Sequence, residues 1–219
     1  VGHLGGIPFL GFATQDRFRG AERFRRRALD MTLVTLTFPV WATVCLLIAM
    51  AIRMESEGPI LFRQRRVGEN GRKFEMLKFR SMVPNAEKIH AELVAMSGED
   101  PRHPKIVDDP RVTRVGRFLR RTSLDELPNL INVMSGQMSL VGPRPPTPDE
   151  VELYEPWQAR RLQIIPGMTG LWQVSGRSDV PFDEMCLMDI YYIENWSITM
   201  DIRILMMTIP KVVLRSGAY

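Results

Sequence analysis

Met31-Thr32-Leu33-Val34-Thr35-Leu36-Thr37-Phe38-Pro39-Val40-Trp41-Ala42-Thr43-Val44-Cys45-Leu46-Leu47-Ile48-Ala49-Met50-Ala51-Ile52 is a run without a charged residue, interrupted by one proline. As a straight helix its 22 residues would extend roughly 33 Å, enough to cross a hydrocarbon core of about 30 Å. Pro39 counts against a straight helix, because it removes a backbone donor and disfavours helical geometry at Phe38. A break there leaves arms of about 8 and 13 residues, neither able to cross alone. Arg23, Arg25, Arg26 and Arg27 precede the run and Arg53, Arg63, Arg65 and Arg66 follow it, so both flanks are positive. A simple span concentrates Lys and Arg on one side. A broken helix dipping into one leaflet therefore competes with a kinked span, and a buried core helix is the remaining reading. Thr32, Thr35, Thr37 and Thr43 are candidates to satisfy carbonyls freed at the kink.

Outward from this run, the 219-residue chain has the length of one sizeable domain, with 45% apolar residues and a net charge of +4. Its arginines are clustered, which points to an anionic partner: phosphate, anionic lipid or nucleic acid. Aromatic residues are not interleaved with the basic ones, which disfavours nucleic acid. Cys45 and Cys186 have neither metal-type spacing nor the count of a disulfide framework, and fit a reducing compartment. Gly5-Gly6, Pro8 and Gly11 make residues 1–22 read as a linker from an upstream region. Residues 23–53 then form the membrane helix and 54–219 the catalytic-sized domain.

In that domain, Glu69-Asn70-Gly71 between two apolar stretches predicts a hairpin with strands over 60–67 and 73–79. Lys78 and Arg80 then share a strand face, as edge charges or as phosphate ligands. Residues 85–96 predict an amphipathic helix and 97–110 a loop, with His90 and His103 as surface residues. Arg111, Arg114, Arg117 and Arg120 recur every three residues, so a helix aligns them with Val115, Phe118 and Leu119 opposite. That stripe fits lipid headgroups or a phosphate site. A helix follows to Ser135-Gly136, then a short strand at 138–141. In Gly142-Pro143-Arg144-Pro145-Pro146 the prolines fix the backbone around one arginine. Residues 148–165 predict a helix, 165–177 a glycine-punctuated loop, and 181–195 and 197–215 two more helices, the last too short for a span. The class is α+β, mostly helical, with a small β-hairpin.

Ser123-Leu124-Asp125-Glu126-Leu127-Pro128 admits two readings. As a capping box, Ser123 is the N-cap and Glu126 returns to the backbone. Against this, Pro128 would clash within the helix, which then begins near Pro128 and frees both acids in a preceding turn. Free acids beside arginines suit metal binding or carboxylate attack on an anionic substrate, the two parts phosphoryl transfer needs. No Walker loop or dinucleotide fingerprint is present.

Lys78-Phe79-Arg80-Ser81-Met82, residues 117–130 with Ser123 to Pro128, Ser139-Leu140-Val141-Gly142-Pro143-Arg144-Pro145, and Pro166-Gly167-Met168-Thr169-Gly170-Leu171-Trp172-Gln173-Val174 together resemble the bacterial sugar transferases, the monotopic phosphoglycosyl transferases. The likeness runs from about Arg23 to Tyr219 and is most like members handling glucose- or galactose-1-phosphate. It implies a membrane enzyme facing the cytoplasm from the bacterial inner membrane, with a UDP-hexose, undecaprenyl phosphate and Mg2+ as its substrates and cofactor. Asp125 takes the role of nucleophile, and Asp125 and Glu126 that of metal holders. Lys78 and Arg120 take the role of phosphate-binding cations and Arg144 that of the nucleotide arginine, with Arg80 and Arg117 as further candidate substrate-binding cations and Asp189 as a further substrate-side acid. The family's N-terminal helix is re-entrant and broken at a proline. Where many members have Ser before that proline, this chain has Phe38, so its kink needs another support. Membrane lipid is a further partner, and homodimerisation is left open. The competing class is a non-catalytic membrane-surface module binding anionic lipid.

Overall fold

In the computed structural model, which describes residues 2–4, 7–9, 20–83, 86, 110–175 and 180–213, the apolar run folds as parts of two helices. Helix α1 is Ala21–Leu36 and α2 is Phe38–Glu55, with Thr37 between them. Pro39 stands in the first turn of α2, where a missing N–H leaves nothing unpaired. The break therefore falls at Thr37 rather than after Phe38. The arms are 16 and 18 residues, longer than the apolar pattern predicts, because α1 begins among the arginines. Thr37 Oγ1 donates to Leu33 O at 2.7 Å and Thr43 Oγ1 to Pro39 O at 2.8 Å. The indole N–H of Trp41 adds a bond to Val34 O at 3.1 Å.

The first arm is held inside the protein. Arg26, Asp30 and Val34 are buried, one helical face at i, i+4 and i+8. Asp30 accepts from Ser139 Oγ at 2.7 Å and Leu140 N–H at 3.1 Å, while Arg26 donates to Val141 O and to Ile165 O. The second arm returns to the same body: Ile48 and Ile52 pack with Phe79 and Leu119, and the Glu55 carboxylate accepts from Val115 N–H at 3.1 Å. Between these anchors lie exposed apolar side chains, including Leu36, Val40, Leu46 and Leu47. By length and composition alone α2 is long and apolar enough to cross a membrane, and 11% of it is buried.

Strands β1 (Gly2–Leu4) and β2 (Ile7–Phe9) form a short antiparallel pair in a stretch whose residues read as linker. The predicted hairpin is β3 (Leu61–Val67) with β4 (Lys73–Phe79), in register from Leu61 opposite Phe79 to Val67 opposite Lys73. Asn70 and Gly71 supply the left-handed turn at φ 54° and 78°. One face of this hairpin carries Gln64, Arg66, Met76 and Lys78. Arg80 lies beyond the end of β4, so it does not share the strand face expected for it with Lys78.

Helix α3 (Arg114–Thr122) leads to α4 (Asn129–Met134), and strand β5 (Ser139–Val141) pairs in parallel with β6 (Gly167–Thr169). Of the α3 stripe, Leu119 is buried but Phe118 is exposed with Arg114, Arg117 and Arg121, and Arg111 precedes the helix, buried. Two predictions fail locally. Residues 148–165 are not one helix but α5 (Pro148–Glu152) and a 3-10 segment (Gln158–Gln163), since Pro156 removes a donor between them. The expected loop over 165–177 contains β6 and α6 (Leu171–Ser175). Gly142 and Gly167 permit the strand contact, because a Cβ on Gly167 would stand 2.1 Å from Gly142 N. Helices α7 (Phe182–Glu194) and α8 (Ile198–Val213) close the chain, joined by buried Asp201, which accepts from Tyr192 Oη and Trp196 Nε1. Apart from Ala86, which is buried, and Pro110, the predicted helix over 85–96 and loop over 97–110, with His90 and His103, lie outside the described residues.

Asn132 ties α4 to β4. Its Oδ1 accepts from Leu77 N–H at 3.0 Å, and Nδ2 donates to Glu75 O and Gln137 Oε1, each at 2.7 Å. Removing a buried partner leaves each stranded group about 1–3 kcal/mol worse off. Asn132→Ala is therefore expected to lower the melting temperature by roughly 5–15 °C, read by circular dichroism. A shift within 2 °C would show that β4 is held without it.

Candidate active site

The acidic pair sits on a turn made by its neighbours. Thr113 caps α3 by accepting from Gly116 N–H at 2.9 Å. Gly116 allows the helix to lie against Ser81, whose carbonyl oxygen a Cβ would meet at 2.0 Å. The helix stops at Ser123, in the left-handed region at φ 57°, whose N–H bonds back to Arg120 O. Leu124–Glu126 then make a single 3-10 turn. Leu124 and Leu127, three apart and so on one side of that turn, pack onto the Ile48, Ile52, Phe79 and Leu119 cluster. Asp125 and Glu126 are left half-buried on the turn.

The capping-box reading of Ser123 is corrected here: its side chain caps nothing, and α4 begins after Pro128. The alternative, a helix starting near Pro128 with both acids ahead of it, is the observed arrangement. A capping box does form, at Thr147 and Glu150 of α5.

Glu126 is the paired acid. Its Oε1 accepts from Lys78 Nζ at 2.7 Å and from Arg144 Nη1 at 3.3 Å. Burial acts to raise its pKa, but the two cations outweigh it by charge and hydrogen bonding and hold the carboxyl at about 2. Asp125 differs. Among the described residues it has no hydrogen-bond or ion-pair partner within reach. Burial raises its pKa, Lys78 opposes that, and Glu126 repels the charged form, while Arg120 and Arg144 favour it. Burial lowers the Lys78 pKa against the pull of Glu126.

The other candidates separate. Arg120 points its Nε at Ser81 Oγ, 2.9 Å away, within electrostatic reach of Asp125. Arg117 is exposed on α3 and is not brought to the pair by any contact among the described residues. Arg80 donates to Glu57 O, Ser56 O and Ser56 Oγ, binding the end of α2 to the hairpin. Asp189 is 1% exposed and accepts from Arg161 Nη2 at 2.5 Å. Burial raises its pKa to about 6, against the pull and hydrogen bond of Arg161.

Sequence reasoning missed Arg66 and Arg161. Arg66 is buried on the hairpin face of Lys78 and lies close enough to Glu126 and Arg144 to feel both charges; burial first, then Arg144, lowers it to about 10. The even spacing of residues 64, 66, 76 and 78 across the hairpin was the available signal. As to a metal, no group of three or more His, Cys, Asp or Glu side chains gathers among the described residues. Both cations contact Glu126 through Oε1. Glu126 Oε2 and the Asp125 carboxylate therefore remain for a hard cation, and Mg2+ characteristically takes one or two carboxylates with water and phosphate oxygens. The pair fits that donor set.

A family model described as bacterial sugar transferase matches residues 21–215. Galactosyl transferase CpsE of Streptococcus agalactiae is 46% identical over 202 residues, 92% of this chain and 45% of that protein. Undecaprenyl-phosphate galactose phosphotransferase of Salmonella typhimurium is 42% identical over 203 residues, 91% of this chain and 42% of its own length. Exopolysaccharide production protein ExoY of Sinorhizobium fredii is 41% identical over 198 residues, 89% and 88% of the two chains. The chain thus spans less than half of the first two relatives and most of the third.

The charge pattern makes a prediction of its own. Glu126 titrates below its ordinary value of 4.5, so the stabilisation from its ion pairs is present above that pH and lost as pH falls toward 2. In Lys78→Met, carboxyl NMR is expected to find Glu126 back toward the ordinary range and Asp125 raised further. An unmoved Glu126 would assign the effect to Arg144 alone.

Proposed function

The chain belongs to the bacterial sugar transferase family, and from that membership we propose that it transfers a hexose-1-phosphate from a UDP-sugar to undecaprenyl phosphate, releasing UMP. This is the first membrane step of surface-polysaccharide assembly. Two relatives are named for galactosyl or galactose-phosphate transfer and one for exopolysaccharide production.

The single observation that carries the mechanism is the contrast within the pair: Glu126 is held by two cations while Asp125 is unpartnered among the described residues. A nucleophile needs a free lone pair, so Asp125 takes that role. One of its oxygens bonds to the β-phosphorus as the phosphorus–oxygen bond to UMP breaks, the electron pair leaving with UMP. An oxygen of undecaprenyl phosphate then attacks the same phosphorus, and Asp125 returns as a free carboxylate. Lys78, Arg120 and Arg144 offset the repulsion between carboxylate and diphosphate and stabilise charge on the transferring group. Asp125 and Glu126 would hold Mg2+, which supplies charge neutralisation at the phosphate oxygens.

We further propose that α1 and α2 dip into the cytoplasmic leaflet of the inner membrane and return. In support, α1 through Arg26 and Asp30, and α2 through Ile52 and Glu55, are fastened to one body. A span would carry the two ends to opposite faces. The exposed Arg114, Arg117, Phe118 and Arg121 face of α3 suits anionic headgroups beside that insertion. As a lipid-binding role this complements catalysis; alone, it would make the chain the non-catalytic surface module.

Purified protein given labelled UDP-sugars, Mg2+ and undecaprenyl phosphate is expected to release UMP with at least one sugar, about a thousandfold faster than Asp125→Asn. Release that is absent for every sugar, or equal in the variant, sinks the transferase reading. In a Cys45→Ser background, Arg25→Cys and Glu57→Cys are expected to react with an impermeant thiol reagent from the same side of the membrane. Labelling from opposite sides defeats the re-entrant arrangement.

A further inference from the structure

The segment carrying Arg144 has little means of holding itself. Pro143, Pro145 and Pro146 have no N–H to donate, and residues 142–147 belong to no helix or strand. Its backbone is nevertheless bonded at four consecutive carbonyls, each by a different distant donor. Pro143 O accepts from Gly167 N–H at 2.8 Å, and Pro146 O from Val67 N–H at 2.9 Å. Between them, Arg144 O accepts from Arg161 Nη2 at 3.5 Å and Pro145 O from Arg66 Nη1 at 2.9 Å. The inner two donors are side chains, and both are buried, at 5% and 9% exposure.

Each guanidinium is itself aimed. Gln64 Oε1 receives Arg66 Nε at 3.1 Å and Nη2 at 2.7 Å, leaving Nη1 for the Pro145 carbonyl. Arg161 is fixed by Asp189 at 2.5 Å and by Tyr154 Oη at 3.1 Å. A lysine has neither the planar fork nor enough donors in fixed directions to do this. The two arginines approach adjacent peptide oxygens from β3 on one side and the 3-10 segment before β6 on the other.

We propose that Arg66 and Arg161 are positioning residues for the sugar-nucleotide site, gripping the backbone of residues 144–145 so that the Arg144 side chain meets Glu126 and the nucleotide diphosphate in one fixed pose. This rests on the reading of Arg144 as a ligand of the UDP-sugar. It gives Asp189 a role different from the substrate-side one: it aims Arg161.

The test is a double-mutant cycle on UMP release by the full chain, using UDP-galactose and UDP-glucose. Arg66→Lys keeps the charge and loses the fork. It is expected to lower kcat/KM about 10- to 100-fold, chiefly through KM, because displacing a ligand by about 1 Å has effects of this size. In an Arg144→Ala background the same change is expected to cost nothing more, since residues acting through one another are not additive. Multiplying losses, or a single-variant effect below twofold, overturns the proposal. Should Arg66→Lys fail to fold by circular dichroism, Gln64→Met, which removes only the acceptor that aims Arg66, decides by the same cycle. Arg161→Lys is expected to behave alike. A crystal structure of Arg66→Lys or Gln64→Met gives a readout independent of turnover: the Arg144–Glu126 contact of 3.3 Å is expected to be lost. Its retention overturns the positioning role even if no sugar is turned over, whereas a wild-type chain silent with every sugar speaks against the transferase reading alone.

Discussion

The interaction on which the arrangement depends is the seating of α1 against β5. Asp30 uses both oxygens, one on the Ser139 hydroxyl and one on the Leu140 N–H, and Arg26 one turn earlier donates to the carbonyls of Val141 and Ile165. The buried acid thereby has both oxygens bonded and the buried base reaches two carbonyls, which offsets much of the cost of burying the two charges. The consequence is geometric. β5 runs directly into the segment that presents Arg144, so the arm entering the apolar pair and the strand feeding the site share one set of bonds. Arg27 extends the seat by donating to Val133 O, which also accepts from Gly136 N–H, and to Met134 O at the end of α4, where the helix C-terminus favours a cation.

With α1 and β5 in register, the hairpin and the acidic turn are set by packing. Leu124 and Leu127 point into the cluster that also receives Ile48 and Ile52 of α2, and β4 brings Lys78 across to Glu126. Two adjacent acids then experience different surroundings. A carboxylate gripped by two cations is held ionised, whereas its neighbour has no hydrogen-bond or ion-pair partner among the described residues. The same cations lower the cost of charge on both. The asymmetry of the pair follows from placing a single turn unevenly against β4 and residue 144.

Much of this was legible in the chain, for reasons that are local. Asn70-Gly71 specifies a left-handed turn, Pro39 a break, and Pro128 the start of a helix rather than its interior; each is a constraint on one residue's own backbone. What was not legible depends on partners far away in sequence. Arg26 reads only as part of a positive flank and Asp30 carries no reading at all, because nothing in their spacing announces that residues 139–141 and 165 will receive them. Arg80 reads as a strand-face cation, yet β4 ends one residue before it and its guanidinium turns to Ser56 and Glu57. Arg161 stands among ordinary-looking charges, and its carbonyl acceptor leaves no side-chain pattern to detect, while the hairpin spacing places Arg66 on the face of Lys78 without announcing its acceptor. The long helix expected over 148–165 fails for a local reason present in the sequence: Pro156 removes a donor inside it.

The kink between α1 and α2 makes the same point about where support comes from. With Phe38 ahead of Pro39 there is no hydroxyl at that position to reach back. The hydroxyl comes instead from Thr37, one residue earlier, which bonds Leu33 O, and a second donor comes from the Trp41 indole, which reaches Val34 O across the break. The Phe38 ring meets Trp41 edge-on at 5.0 Å, so the residue replacing a polar cap orients the indole that does the capping. Val34 O is thus partnered without water, and Leu33 O, already bonded by Thr37 N–H, gains a second donor; a broken helix entering hydrocarbon needs such partners. Trp41 also packs against the Val34, Leu130 and Met138 cluster. The bend is therefore braced by the same cluster that receives Met76 of β4 and Leu127 beside the acidic turn.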